Sequence, residues 1–148
     1  MTAEGVVLFE AEEDAGLLKV NRALPPFDSA DFAQNMIDDI KLIFFAPAGK
    51  IVEKGNLPGG VTVCRWREKN GGWIDVLSNQ QKGIEIKRYS SCGSLKRRVK
   101  FERTDENIYQ SIELQANELF NYSLMMTLIE AEPAEDEAQE EKSKGMEE

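Results

Sequence analysis

The sequence predicts an α+β fold: an antiparallel β-sheet of about four to six strands, one helix in the N-terminal half, one C-terminal helix, and then a disordered acidic tail. Three observations lead to it. From residue 61 to residue 103 apolar and polar residues alternate with a period of two, as on a sheet with one buried face. Between residues 28 and 44 the apolar residues recur at three- and four-residue spacing, which is the helical period. Residues 132–148 contain no Val, Ile, Leu or aromatic residue and so bury too little surface to offset their ordering entropy. The predicted organisation is one domain over residues 1–131 and a tail over 132–148.

Residues 6–9 are an apolar run that reads as a first strand, broken by Glu12, Glu13, Asp14 and Gly16, with residues 17–20 resuming the pairing. Pro25 and Pro26 end any regular element, because proline lacks the ladder donor and restricts its predecessor. A helix follows. Asp28 or Ser29 can cap it and Asp31 favours its dipole, while Phe32, Ala33, Met36, Ile37, Ile40 and Phe44 form the core stripe. Asp38, Asp39 and Lys41 read as its solvated side. Residues 42–45 are apolar all round, fitting either the helix end or a buried strand, until Pro47 and Gly49 stop it. Ile51 and Val52 pair briefly before a linker rich in turn residues, Gly55, Asn56, Pro58, Gly59 and Gly60.

Residues 61–68 and 73–78 flank Lys69-Asn70-Gly71-Gly72, a strong hairpin signal because Asn and Gly supply the positive φ of tight turns. Residues 84–89 and 97–103 give two further strands around a loop at 90–94. Residues 108–114 fit both periods and read as a strand beside their strand-rich neighbours. From Ala116 the residues Leu119, Phe120, Ser123, Leu124, Thr127 and Leu128 predict the C-terminal helix.

The net charge of −9 conceals a segregation: residues 1–59 carry −5, residues 60–104 carry +7 and residues 105–148 carry −11. A basic patch can work inside an acidic protein. With no histidine and only Cys64 and Cys92, the chain lacks the ligand set of a structural zinc site, so no metal or cofactor is expected. No nucleophile elbow, phosphate-binding glycine loop or Cys-x-x-Cys is present, and adjacent Asp38 and Asp39 point in different directions on a helix, so the chain is not read as an enzyme. The N-terminus lacks the basic start of a signal peptide and no apolar run reaches the roughly 20 residues of a membrane span, which points to a cytoplasmic protein with two free thiols.

The candidate site comes from strand parity. Two registers of the hairpin at Asn70-Gly71 compete. The one pairing Lys69 with Trp73 and Arg67 with Asp75 separates apolar from charged better, and it sends Trp66, Ile74 and Val76 inward. Ile84 and Ile86, then Val99 and Phe101, claim the core on the next strands. The opposite face then presents Arg65, Arg67, Trp73, Lys87, Tyr89, Arg98 and Lys100. Cations on a sheet can track a phosphate backbone and aromatics between them can stack on bases, so this face predicts binding of single-stranded nucleic acid. The competing reading is the solvated face of an antiparallel sheet.

A basic face beside an acidic tail is similar in charge arrangement to single-stranded-DNA-binding proteins with acidic tails, and strands followed by a late helix resemble the small PC4-like, Whirly-like or OB-like binders. The resemblance implies DNA as the preferred strand over RNA, with the tail modulating binding or recruiting protein partners. An unpaired sheet edge would allow a homodimer. The alternative function is a protein-interaction module, such as an inhibitor, nucleic-acid mimic or assembly factor, acting through its acidic surface.

Overall fold

A computed structural model of the chain describes residues 2–3, 6–7, 9–25, 27–103, 108–118 and 121–129. The predicted acidic tail lies outside the described residues. The elements in order are β1 (Thr2–Ala3), β2 (Val6–Val7), β3 (Phe9–Asp14), β4 (Leu17–Ala23), α1 (Ala30–Phe44), β5 (Ile51–Leu57), β6 (Val61–Arg67), β7 (Trp73–Asn79), β8 (Gly83–Tyr89), β9 (Leu95–Arg103), β10 (Tyr109–Ala116) and β11 (Tyr122–Thr127).

The main sheet is a seven-stranded antiparallel meander, β5 to β11, in which each strand pairs with its neighbours in sequence. It is larger than the four to six strands predicted. β5 accounts for part of the difference: the turn-rich sequence before Gly60 hides a seven-residue strand, with Gly55 opposite Val63 and Asn56 opposite Thr62 on β6. β11 accounts for the rest and corrects the predicted C-terminal helix. Tyr122, Leu124 and Met126 alternate with Ser123, Met125 and Thr127, and pairing with β10 puts the first set against the core, a partnership that no local helical period could outbid. β3 and β4 form a separate hairpin, so the run of Glu12, Glu13 and Asp14 continues a strand instead of breaking it.

α1 begins where the sequence places it. Ser29 is the N-cap and its Oγ accepts the Phe32 N–H at 3.1 Å; at the other end the Phe45 N–H donates to the Lys41 carbonyl. The helix runs on to Phe44, so residues 42–44 are its last turn. Its buried side is rotated from the predicted stripe. Ala33, Asp39, Leu42 and Ile43 are buried, while Ile40 and Phe44 are exposed.

The core sits between α1 and one face of the sheet. Leu42 and Ile43 pack with Ile74, Ile86, Val99, Leu114 and Ala116, and Val76, Ile84, Phe101, Ile112, Leu124 and Met126 extend the layer. Val99 and Leu114, from the adjacent strands β9 and β10, are fully buried at its centre. Truncating either to Ala leaves a cavity costing about 2–5 kcal/mol for a Leu and less for a Val. Phe32 of α1 meets Phe9 edge-on at 5.3 Å, and Lys41 pairs with Glu13, which fastens the β3–β4 hairpin to the helix.

A charged trio is buried in this layer. Arg97 shares the parity of Val99 and points inward. Its Nε donates to Asp39 Oδ1 of α1 at 2.6 Å, and Tyr122 donates its hydroxyl to Asp39 Oδ2. Asp39 is 2% exposed and Arg97 5%, so Asp39 belongs to the core and not to the solvated side of the helix. Arg97 Nη1 also donates to the Lys96 carbonyl at 3.0 Å and lies 3.3 Å from Glu118. Burial pulls the Arg97 ionisation down and Asp39 more than restores it; burial and Asp39 together push Tyr122 well up.

Candidate functional site

The face turned away from α1 is fixed by the register of β6 to β9. Arg67, Trp73 and Tyr89 form one row across β6, β7 and β8; Arg65, Asp75, Lys87 and Arg98 form the next; Val63, Leu77, Glu85, Lys100 and Glu113 form a third. All seven predicted site residues therefore share this face. The hairpin register is shifted by two residues from the preferred one: Arg67, not Lys69, faces Trp73, and Arg65, not Arg67, faces Asp75. The reason lies in the turn, which spans five residues from Glu68 to Gly72. Asn70 Oδ1 accepts the Gly72 N–H at 2.9 Å, and Gly71 adopts a φ of 87° that a β-carbon would resist. A shift of two keeps every side chain on its predicted side.

Strand parity selects the acids on this face as well as the cations. Arg65 forms a two-pronged pair with Asp75, Nε to Oδ1 at 2.6 Å and Nη2 to Oδ2 at 2.8 Å, and lies 3.7 Å from Glu53. Its hydrogen bonds to Asp75 raise the Arg65 pKa further. Arg98 donates to Glu85, whose carboxylate also lies 3.8 Å from Lys87. Five cations thus share the face with Glu53, Asp75, Glu85 and Glu113, and among the described residues Arg67 and Lys100 stand outside any ion pair. Arg88, on the α1 side, is held by Glu68 in a second two-pronged pair.

Trp73 is enclosed by its own row and by Arg65 of the next. Tyr89 stacks on it from β8, with ring centres 5.2 Å apart and planes 20° from parallel. From β6 the guanidinium carbons of Arg65 and Arg67 lie over the indole at 5.1 and 5.7 Å. Gly93, in the 90–94 turn, closes over the ring edge, and the indole Nε1 is buried without a hydrogen-bond partner among the described residues. The indole is the hub of an Arg–Trp–Tyr stack, with its faces taken by its neighbours. Burial, with Asp75 second, raises the Tyr89 pKa.

Beside this stack β5 forms one wall of a groove of about 350 Å³ on the same face. Val63 and Leu77 lie across from one another in its lining, Leu57 and Glu53 come from β5, and Arg65, Lys87 and Tyr89 border it. A second cleft, of about 230 Å³ and lined mainly by charged and polar residues, lies between α1 and the β8–β9 end of the sheet; Asp38, Glu68 and Glu118 there face Arg88, Lys96 and Arg97. Strand parity counted over the cations alone leaves out both the acids and the groove wall. Glu85 alternates with Ile84 and Ile86 just as Lys87 does, so its place on the face is legible in the sequence.

No helix among the described residues is long and apolar enough to cross a membrane. No known protein family, curated protein or solved structure matches this chain.

Proposed function

We propose that the chain is a non-catalytic, cytoplasmic binder of single-stranded nucleic acid, DNA in preference to RNA, acting through the face that carries Arg65, Arg67, Trp73, Lys87, Tyr89, Arg98 and Lys100. The observation that supports this reading is that these seven residues, from four strands, lie together on the sheet face away from the helix. The ion pairs on that face define how binding works. A phosphate oxygen takes the place of Glu85 as acceptor from Arg98, so that contact exchanges one charge-assisted hydrogen bond for another, while Arg65 stays with Asp75, and Arg67 and Lys100 meet phosphate without displacing a carboxylate. Trp73 orients Arg65, Arg67 and Tyr89, leaving base contacts to Tyr89 and the groove beside it. The acidic residues 132–148 compete with the strand for the same cations. The test is a titration of a labelled single-stranded oligonucleotide with the full chain and with a chain ending at residue 131. Binding at low salt that tightens on truncation supports the reading; no binding by either refutes it.

One observation favours a second reading, a protein-interaction module. Phe44 is 62% and Phe45 67% exposed at the end of α1, two adjacent aromatic side chains of the kind protein partners cover. Under that reading Phe44→Ser with Phe45→Ser abolishes partner binding and leaves nucleic-acid affinity untouched.

A further inference from the structure

Resting on the nucleic-acid reading, we infer that the groove between β5 and β8 is a pocket for one unstacked base of the bound strand and that Glu53 makes it selective for guanine. The groove's volume of about 350 Å³ lies at the lower end of the roughly 300–1,000 Å³ of small-ligand sites, which suits one flat heterocycle and not a stack of them. Its lining offers Val63, Leu77 and Leu57 as apolar surface for the faces of a ring, with Tyr89 alongside. Lys87 borders the groove, and Arg98 and Lys100 stand on the next strand, about 5 Å further across the sheet. A strand whose phosphates follow these three cations can turn a base inward to the groove.

The two carboxylates that line the groove differ in what they have left to give. Asp75 spends both oxygens on Arg65. Glu53 has a single ion-pair contact with Arg65, at 3.7 Å, and its side chain is 70% exposed, so its two oxygens remain acceptors for a ligand. A carboxylate accepts and cannot donate. Guanine is the one common base whose Watson–Crick edge sets two N–H donors side by side, N1–H and the N2 amino group. Adenine and cytosine place a ring-nitrogen acceptor beside their amino group, and thymine flanks its one N–H with two carbonyls, which a carboxylate repels.

The probes are two labelled oligonucleotides, one all thymine and one of the same length with a single central guanine, titrated at fixed low salt into the full chain. The guanine strand binds about 5- to 150-fold tighter, the range of one two-pronged base contact. In Glu53→Gln that preference collapses, while affinity for the all-thymine strand does not fall, since a negative charge has been removed. Leu77→Phe, which fills the groove floor, abolishes the preference by a separate route, and the melting temperatures of both variants verify their folds. Equal affinity for the two strands, or a preference that survives Glu53→Gln, overturns the inference and leaves the nucleic-acid reading standing. Failure of both strands to bind overturns the reading itself and the inference with it.

Discussion

Replacing Asp39 with Ala removes the acid of the one ion pair buried at both ends among the described residues, Asp39–Arg97, and its cost can be worked out from the contacts. Arg97 loses the carboxylate at 2.6 Å from its Nε and Tyr122 loses the acceptor of its hydroxyl. With Arg97 only 5% exposed, its charge is left in the core with Glu118, at 3.3 Å from Nη1, as the remaining counter-ion. Breaking a buried pair by removing one partner costs about 3–5 kcal/mol, and Glu118 puts this case near the lower end, about 3 kcal/mol. Against a total stability of about 5–15 kcal/mol that is a large fraction. For a urea dependence of about 2 kcal/mol per molar, the unfolding midpoint falls by about 1.5 M. The triple replacement Asp39→Leu, Arg97→Met and Tyr122→Phe, which removes every charge and hydrogen bond of the trio at once, stays within about 1 kcal/mol of the wild type. A midpoint shift below about 0.5 M for Asp39→Ala would show that the trio is solvated and that the account of the core is wrong.

Three other outcomes follow from the same geometry. Glu85→Gln removes the carboxylate that phosphate must displace from Arg98 and Lys87, so single-strand affinity at low salt rises; an affinity no higher than that of the wild type shows that those cations never meet phosphate. Tyr122 ionises well above its ordinary value of 10.0 in the fold and near that value unfolded, so its contribution is complete below about pH 10 and is lost as pH rises through the folded pKa. The melting temperature of the wild type therefore falls more steeply between pH 9 and pH 11 than that of Tyr122→Phe, and parallel curves contradict the assignment. Gly83→Ala, at a φ of 104° and with its new β-carbon driven into the Phe101 carbonyl oxygen, costs more than about 1 kcal/mol, whereas Gly55→Ala, with open space around it, costs about 0.5 kcal/mol or less in chemical denaturation.

The parts of this fold that were legible in the sequence are those decided locally. Asn70 and Gly71 carry their turn in their own side chain and backbone, and Ser29 carries its cap. Alternation placed Arg65, Trp73, Lys87 and Arg98 on one face because parity survives a register error of two. What the sequence concealed is decided by partners far along the chain. Residues 122–127 satisfy a helical period as well as a strand period, and the free edge of β10 chooses between them. Asp39 looks solvated until Arg97, 58 residues later, arrives beside it. Arg97 was half legible: it has the parity of Val99 and Phe101, and an arginine on the core side of a strand requires a buried acid. The free charge of the candidate face is smaller than its cations alone imply, because Asp75 and Glu85 share the face with them.

Whether this mixed-charge face binds single strands is decided by the salt dependence of binding by the full chain. If all five cations of the face meet phosphate, log affinity falls with log salt at a slope of about −3.5; if only Arg67 and Lys100 do, the slope is about −1.4. The expected slope lies between these limits. A slope near zero, or no binding at low salt even for the chain ending at residue 131, contradicts it.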